Sequence, residues 1–364
     1  MPTVLLAGGG TGGHIFPGIA IARELNERVV GCEIIFVGTQ AGLESRIVPA
    51  SGFRLLTIRS SGLIGVSLVA RAKGIALIPV SLLQSIALVR RTKPRLVIGV
   101  GGFASGPVMA AAVLLRVPTL ICEQNCIPGA TNRWMAPFVT QAVVTFPETK
   151  ERLGGRGVVL GNPVRKEFTL IGPRRMHDGA RRILICGGSR GARAINRAVC
   201  DALPHLAPLA GTVAVTHQTG DADRDMVRDA WSRSGFPGKD VEVRPFIADM
   251  ARVYEESDLI VSRAGATTVA ELTAAGRPSV LIPFAAAAHD HQTFNARALV
   301  AAGAAEMIAE QDLTGEVLAG TIRTLLSDEE RLTRMAAAAR TLGRPDAAAR
   351  IADLCVAMMG GEAA

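Results

Sequence analysis

Aromatic side chains are scarce in this 364-residue chain: they make up 4%, with one Tyr and two Trp. Any hydrophobic core must therefore be assembled from Val, Ile, Leu and Ala. The six cysteines, at 32, 122, 126, 186, 200 and 355, include no Cys-x-x-Cys. That excludes zinc ribbons and thioredoxin-like redox pairs, and the apolar runs around several of them read as reduced, buried thiols of a cytosolic protein. His-Glu-x-x-His is absent and no glycine loop ends in Lys-Ser or Lys-Thr, which excludes zincin and Walker chemistry. Lys and Arg are scattered through helical patterns without aromatic interleaving, so no nucleic-acid partner is expected. The longest apolar stretch, residues 74–89, is interrupted by Pro79, Ser81, Gln84 and Ser85 and falls short of the ~20 residues a spanning helix requires. Met1-Pro2-Thr3 leads straight into strand-like sequence, so no signal peptide is expected.

What is present is enough for two α/β cores: this length and 49% apolar residues. The formal net charge of +8 calls for anionic partners such as nucleotide phosphates, a lipid pyrophosphate or a membrane surface.

Residues 3–7 are β-prone and run into Gly8-Gly9-Gly10-Thr11-Gly12-Gly13-His14, after which Ile15, Ile19 and Ala22 recur on one helical face. Strand, glycine turn and helix offer backbone N–H groups and a helix N-terminus to an anion, and glycine lets that anion approach the backbone. Gly8, Gly10 and Gly13 also satisfy G-x-G-x-x-G, the dinucleotide pattern. A dinucleotide site needs an acidic residue at the C-terminal end of the second strand. That strand, 33–37, ends in Gly38-Thr39 and carries Glu33 at its other end. The loop is therefore read as an anion or acceptor site, without a nicotinamide or flavin cofactor.

Residues 57–89 are small and apolar, bracketed by Arg59, Arg71 and Lys73 on one side and Arg90, Arg91, Lys93 and Arg95 on the other. Two readings stay open. The segment is either two helices covering the sheet, or an apolar surface including Leu63, Ile64 and Val66 that rests on anionic lipid. A strand at 96–100 then meets a second glycine loop, Gly101-Gly102-Phe103-Ala104-Ser105-Gly106-Pro107, with Ser105 as the expected helix N-cap. The strand 119–122 ends in Glu123-Gln124-Asn125, polar residues that face either a ligand or their own loop. A strand follows at 142–145. Residues 158–165 read as the exit from a first domain, where Pro163 keeps Asn162 extended, and 174–182 as a solvated connection.

The pattern restarts at 182–186, with a strand, the loop Gly187-Gly188-Ser189-Arg190-Gly191-Ala192 and a helix from Ile195. Strands at 213–216, 241–244, 259–262 and 279–283 follow, and Arg263-Ala264-Gly265 turns into a helix carrying Glu271. No strand separates the last two helical patterns, 329–342 and 346–359, an arrangement that sends the final helix to the first domain.

His289-Asp290-His291 is a poor chelate because its members are adjacent on a loop, so no metal site is expected. Arg165, Ser189 and Arg263 lie at strand tips or the hinge, where loop amides and a helix N-terminus would hold two phosphates. Glu271 suits two adjacent ribose hydroxyls, or else only stabilises a helix dipole. His14 is a general base toward a hydroxyl, or a helix-terminal histidine bonded only to backbone.

Seven blocks in order carry a family resemblance: Gly9 to His14, Gly101 to Pro107, Glu123-Gln124-Asn125, Gly161-Asn162-Pro163-Val164-Arg165, Gly187 to Ala192, Arg263 to Glu271, and His291-Gln292-Thr293-Phe294-Asn295-Ala296. In these the chain resembles the MurG family of GT-B glycosyltransferases. That family moves N-acetylglucosamine from UDP-GlcNAc onto the undecaprenyl-pyrophosphoryl-muramoyl pentapeptide (lipid I), making lipid II in peptidoglycan synthesis. The resemblance implies an α/β GT-B fold, two Rossmann-like domains with parallel sheets facing across a cleft. Residues 1–163 would be an acceptor and membrane-associated domain, 164–342 a UDP-sugar domain, and 343–364 a helix packing back on the first. It implies an inverting hexosyltransferase with no cofactor and no metal. Its partners would be UDP-GlcNAc, lipid I and anionic lipid, and it would be peripheral on the cytoplasmic face of the inner membrane. The alternative is another GT-B enzyme acting on a UDP-sugar, with a different acceptor or as an epimerase.

Carried onto matching positions, the resemblance makes His14 the base for the acceptor 4-hydroxyl. Thr11, Gly12, Gly13 and Asn125 would lie near the transferred sugar and the acceptor phosphates. Arg165 and Ser189, with Arg263, would meet the UDP phosphates beside a turn of Ala266, Thr267, Thr268 and Val269. Ile247 would hold uracil through its backbone, Glu271 the ribose and Gln292 sugar hydroxyls. Gly10, His14, Phe103, Ser105 and Glu123 are expected at the acceptor. Phe103 stands where many relatives have Tyr, Cys122 replaces a frequent His, and Arg190 a common Gln.

Overall fold

The computed structural model of the chain describes residues 1–62, 67–174, 179–188, 191–287 and 290–360. Two compact units emerge, one of Met1–Arg165 with Arg344–Ala364, the other Lys166–Gly343.

The first unit is built on β1 (Thr3–Ala7), β2 (Glu33–Gly38), β3 (Arg54–Thr57), β4 (Leu96–Gly99), β5 (Thr119–Glu123), β6 (Gln141–Val144) and β7 (Val158–Val159). All pair in parallel, in the order β3-β2-β1-β4-β5-β6-β7. Strands 1, 4 and 5 are almost wholly buried apolar runs, as a parallel sheet covered on both faces demands. Chain direction along the sheet reverses between β1 and β4, which pair from Val4–Leu96 to Ala7–Gly99. The first two glycine loops therefore leave adjacent strand ends, where α/β sheets bind ligands. On one face Val4, Leu6, Ile19 and Leu25 pack with Ile351, Ala352 and Cys355 of the helix Ala347–Met358. On the other, Leu5 and Val97 pack with Met109 and Ala112 of the helix Ser105–Leu114.

Residues 68–92 correct two expectations. They form one helix, Leu68–Thr92, rather than two. Within it Ala72–Thr92 are long and apolar enough, by length and composition only, to cross a bilayer, with a mean hydropathy of 1.8. The hydroxyls that looked like interruptions are absorbed by the helix: Ser81 donates to the Leu77 carbonyl at 2.9 Å and Ser85 to the Ser81 carbonyl at 2.7 Å. Ser81, Ser85, Leu88 and Val89 are buried, whereas Val69, Ile75, Ile78 and Leu83 are exposed. Leu63, Ile64 and Val66 of the expected apolar surface lie outside the described residues.

The second unit carries β8 (Arg181–Cys186), β9 (Val213–Gln218), β10 (Val241–Arg244), β11 (Leu259–Ser262), β12 (Ser279–Leu281) and β13 (Ala305–Met307), all parallel, in the order β10-β9-β8-β11-β12-β13. The reversal here falls between β8 and β11, which pair from Ile183–Leu259 to Cys186–Ser262. The helix Ala266–Ala275 after β11 is anchored at its far end by Arg277, fully buried, which donates to the carbonyls of Ala275 at 2.7 Å and Tyr254 at 2.8 Å. Burial, with Arg340 nearby, lowers the Arg277 pKa to about 10, so the cation persists at neutral pH.

Candidate functional site

In the first unit, the chain passes from β1 through Gly8, Gly9 and Gly10 to Thr11, an extended N-cap residue of the helix Gly12–Arg28. In the first turn of that helix the amides of Gly12 and Gly13 have no intrahelical acceptor, whereas that of His14 donates to the Thr11 carbonyl at 3.2 Å. His14 lies in this turn, with Nδ1 3.2 Å from the Gly9 carbonyl oxygen and 3.2 Å from Thr11 Oγ1. A carbonyl only accepts, so Nδ1 is the donor in the bond to Gly9. The ring lies over the second glycine loop: a Cβ on Gly101 would fall 3.0 Å from His14 Nε2. Phe103 packs on the first loop from the same side, since a Cβ on Gly10 would come within 3.1 Å of its ring. Gly10, Thr11, His14 and Phe103 are thus brought together.

Two residues expected at the acceptor are turned elsewhere. Glu123 is buried, and its Oε1 accepts the Asn125 N–H at 3.0 Å while Oε2 accepts Gly129 N–H and Asn132 Nδ2 at 2.9 Å each. Its carboxylate shapes its own loop, and Asn125 is held there as part of it. Ser105 is fully buried, and a Cβ on Gly99 would fall 2.7 Å from its Oγ. It is the first residue of its helix, not the cap, because Ala104 before it is already in helical conformation. A buried hydroxyl at that position offers a ligand nothing. Glu33 sits at the start of β2 paired with Arg54 at 2.9 Å, far from a ribose position.

Sequence reasoning missed Glu44. This buried carboxylate accepts the Gly10 N–H through Oε2 at 2.9 Å, and the Thr39 N–H and hydroxyl through Oε1 at 2.8 Å each. Burial raises its pKa, but hydrogen bonds from Gly10 and Thr39 outweigh that and hold it below the usual carboxylate range. The available signal was Gly38 and Gly42 on either side of Thr39, small residues that leave room for a side chain.

In the second unit the third glycine loop follows β8. Gly191 has a left-handed φ of 74°, and a Cβ there would lie 1.8 Å from the Thr219 carbonyl oxygen, so only glycine fits. Ser189 and Arg190 lie outside the described residues. Arg165, the last residue of the first unit before the chain enters the second, is half-buried. Ala266, Thr267 and Thr268 open the helix after β11 from an extended Gly265, so their amides emerge beside the third loop. Val269 is buried behind them. Glu271, also buried, is close enough to Cys186 at the tip of β8 to act on it: burial, then the Glu271 charge, pushes that thiol up to about 12.

Ile247 is buried and its N–H is taken by Gln218 Oε1 at 2.9 Å. Gln218, at the end of β9, was also missed, although a polar residue at the tip of a parallel strand is the same signal that marked Glu123-Gln124-Asn125. Arg263 is committed: its Nη1 donates to Glu310 Oε2 at 2.5 Å and to the Pro283 carbonyl at 3.1 Å, and its guanidinium lies 5.2 Å from the Phe284 ring centre. Contact of that nitrogen with a phosphate would require displacing Glu310. Gln292 Oε1 accepts the Phe284 N–H at 3.0 Å, which ties this side chain to the loop after β12. Among the described residues no three His, Cys, Asp or Glu converge as a metal set, and His289 lies outside them.

Residues 4–144 match the glycosyltransferase family 28 N-terminal domain and residues 182–351 its C-terminal domain. The UDP-N-acetylglucosamine–N-acetylmuramyl-(pentapeptide) pyrophosphoryl-undecaprenol N-acetylglucosamine transferase of Anaeromyxobacter sp. (strain Fw109-5) is 50% identical over 98% of this chain and 93% of its own length. The protein of the same name from Myxococcus xanthus (strain DK1622) is 45% identical over 99% and 94%. The crystal structure of Acinetobacter baumannii MurG superposes with a TM-score of 0.81 at 32% identity, covering 97% of this chain and 99% of that one.

Proposed function

The chain belongs to glycosyltransferase family 28, and on that premise we propose that it transfers N-acetylglucosamine from UDP to the muramoyl 4-hydroxyl of lipid I, with inversion, giving lipid II and UDP. The observation that carries this reading is the 50% identity, spanning 98% of the chain, to a transferase named for that reaction. The enzyme is an α/β glycosyltransferase of the GT-B class, made of two parallel-sheet units.

His14 acts as the base. With Nδ1–H on the Gly9 carbonyl, Nε2 keeps the lone pair that accepts the hydroxyl proton. The acceptor oxygen then forms its bond to the anomeric carbon on the face opposite UDP, and the bond from that carbon to the phosphate oxygen breaks. The electron pair leaves with UDP, whose charge is met by amides of the third glycine loop, the helix starting at Ala266, Ser189 and Arg165. Glu271 takes the ribose hydroxyls, a role supported by its burial beside the tip of β8. Ile247 lines the base, Gln292 and Asn125 the sugar. Thr11, Gly12 and Gly13 line the acceptor side with Phe103.

The exposed Val69, Ile75, Ile78 and Leu83, with Lys73, Arg90 and Arg91 exposed on the same helix, rest on the anionic cytoplasmic leaflet, where a lipid-borne acceptor is confined.

The decisive experiment is transfer of labelled N-acetylglucosamine from UDP to a lipid I analogue. Stoichiometric UDP release with labelled lipid II supports the reading. UDP-GlcNAc consumed or epimerised without acceptor, and no labelled lipid, would overturn it.

A further inference from the structure

The peptide group between Gly9 and Gly10 is held from both sides. Its N–H donates to Glu44 Oε2 at 2.9 Å, and its carbonyl accepts from His14 Nδ1 at 3.2 Å. One trans peptide points its N–H and C=O in opposite directions, so carboxylate, peptide and imidazole form a single hydrogen-bonded line. The space for Glu44 is cleared by glycines of different segments. A Cβ on Gly9 would fall 2.4 Å from its carboxyl carbon, one on Gly38 2.5 Å from its Cγ, and one on Gly42 2.1 Å from Oε2. Among the described residues no cation pairs with this buried carboxylate. Its charge is therefore stabilised by N–H and O–H dipoles alone, which it orients in return. Mere anchoring of a glycine loop does not call for a full buried charge, because a neutral acceptor would serve.

We propose that Glu44 is a positioning residue for the transfer reaction, acting through the Gly9–Gly10 peptide to hold His14 with its proton on Nδ1 and its lone pair on Nε2. It does for His14 at one peptide's remove what a carboxylate bonded directly to an imidazole does, fixing tautomer and orientation and favouring the cation formed when the base takes a proton. The inference rests on His14 being the base.

Glu44→Gln tests it. The carboxamide can keep its oxygen toward the two Thr39 donors, but its NH2 then opposes the Gly10 N–H, and the peptide is released. The expected result is a kcat lowered about tenfold to a hundredfold, by analogy with the outer-shell partners that orient a metal-bound histidine, with KM for UDP-GlcNAc within about twofold. In 15N NMR of the histidine-labelled protein, assigned by difference from His14→Ala, the His14 signal should shift from the Nδ1–H toward the Nε2–H tautomer. Thr39→Ala removes a bond to the other carboxylate oxygen and should leave both kcat and tautomer unchanged, which a purely structural role would not. Where Glu44→Gln does not fold, Glu44→Asp, too short to reach Gly10, is read the same way. A wild-type tautomer in either folded variant, or a kcat loss matched by Thr39→Ala, overturns the proposal. His14→Ala with less than a threefold loss removes the base assignment instead, and the tautomer measurement still reports separately on Glu44.

Discussion

Gln218 bridges two loops of the second unit: its Oε1 accepts the Ile247 N–H at 2.9 Å and its Nε2 donates to the Gly188 carbonyl at 2.8 Å. One buried side chain thus ties the segment proposed to hold uracil to the loop proposed to hold the phosphates. Gln218→Ala leaves a buried N–H unpaired and lets both segments drift. UDP binding should weaken by roughly 1–3 kcal/mol, read by calorimetry. Equal affinity would mean that the two loops are held independently.

His14→Ala is expected to lower kcat by roughly 10²–10⁴-fold, the usual worth of a positioned base, with donor affinity nearly kept. Single-turnover transfer with saturating UDP-GlcNAc is the measurement. A loss under about threefold would leave the Gly9 bond as that histidine's whole purpose.

For Glu271→Ala the expected change is about 1.5–3 kcal/mol weaker UDP binding, from lost charge-assisted hydrogen bonds to ribose. Uridine lacking its ribose hydroxyls should bind wild type and variant alike. Unchanged UDP affinity in the variant would return the carboxylate to helix stabilisation.

His217 is fully buried, accepting from Trp231 Nε1 at 3.3 Å through Nδ1 and donating through Nε2 to Asn196 Oδ1 at 3.1 Å. Burial lowers its pKa from 6.5 to about 3. Above pH 6.5 the ring is neutral whether the chain is folded or not, and its full contribution to stability is present. As pH falls below 6.5 only the unfolded chain takes up the proton, so stability drops by up to tenfold in the folding constant per pH unit until near pH 3. Urea midpoints taken from pH 7 to 4 should fall more steeply for wild type than for His217→Gln.

Ile75→Glu with Leu83→Glu should abolish sedimentation with anionic vesicles while leaving thermal stability within about 1 kcal/mol, because both side chains are exposed, at 53% and 67%. Transfer to a short-chain, water-soluble acceptor should continue. Undiminished vesicle binding would detach that helix from the membrane role.

Long buried strands were legible in the sequence because a parallel sheet writes itself as unbroken apolar runs: 3–7, 96–99 and 259–262 stand out without help. Short edge elements were not. Arg54–Thr57 is half-exposed with a polar residue at each end, and Val158–Val159 has too few residues to show any period. The glycine loops were readable because glycine marks backbone that must be approached. What sits behind them was not: Glu44 and Gln218 act through contacts 34 and 29 residues away in sequence, which no spacing rule anticipates. Ser105 misled for a local reason, since the helix began one residue earlier than its hydroxyl suggested and swung that group inward.

The helix Ala347–Met358 completes the cover of one face of the first sheet with Ile351, Ala352 and Cys355. During synthesis the ribosome therefore delivers a front half with that face only partly covered, by the helix Gly12–Arg28, then an uninterrupted rear unit, Lys166–Gly343, able to collapse at once. The usual order of emergence is inverted: the part made first finishes last. A nascent chain stalled after residue 343 should protect the rear sheet from protease and leave the front one open to cleavage.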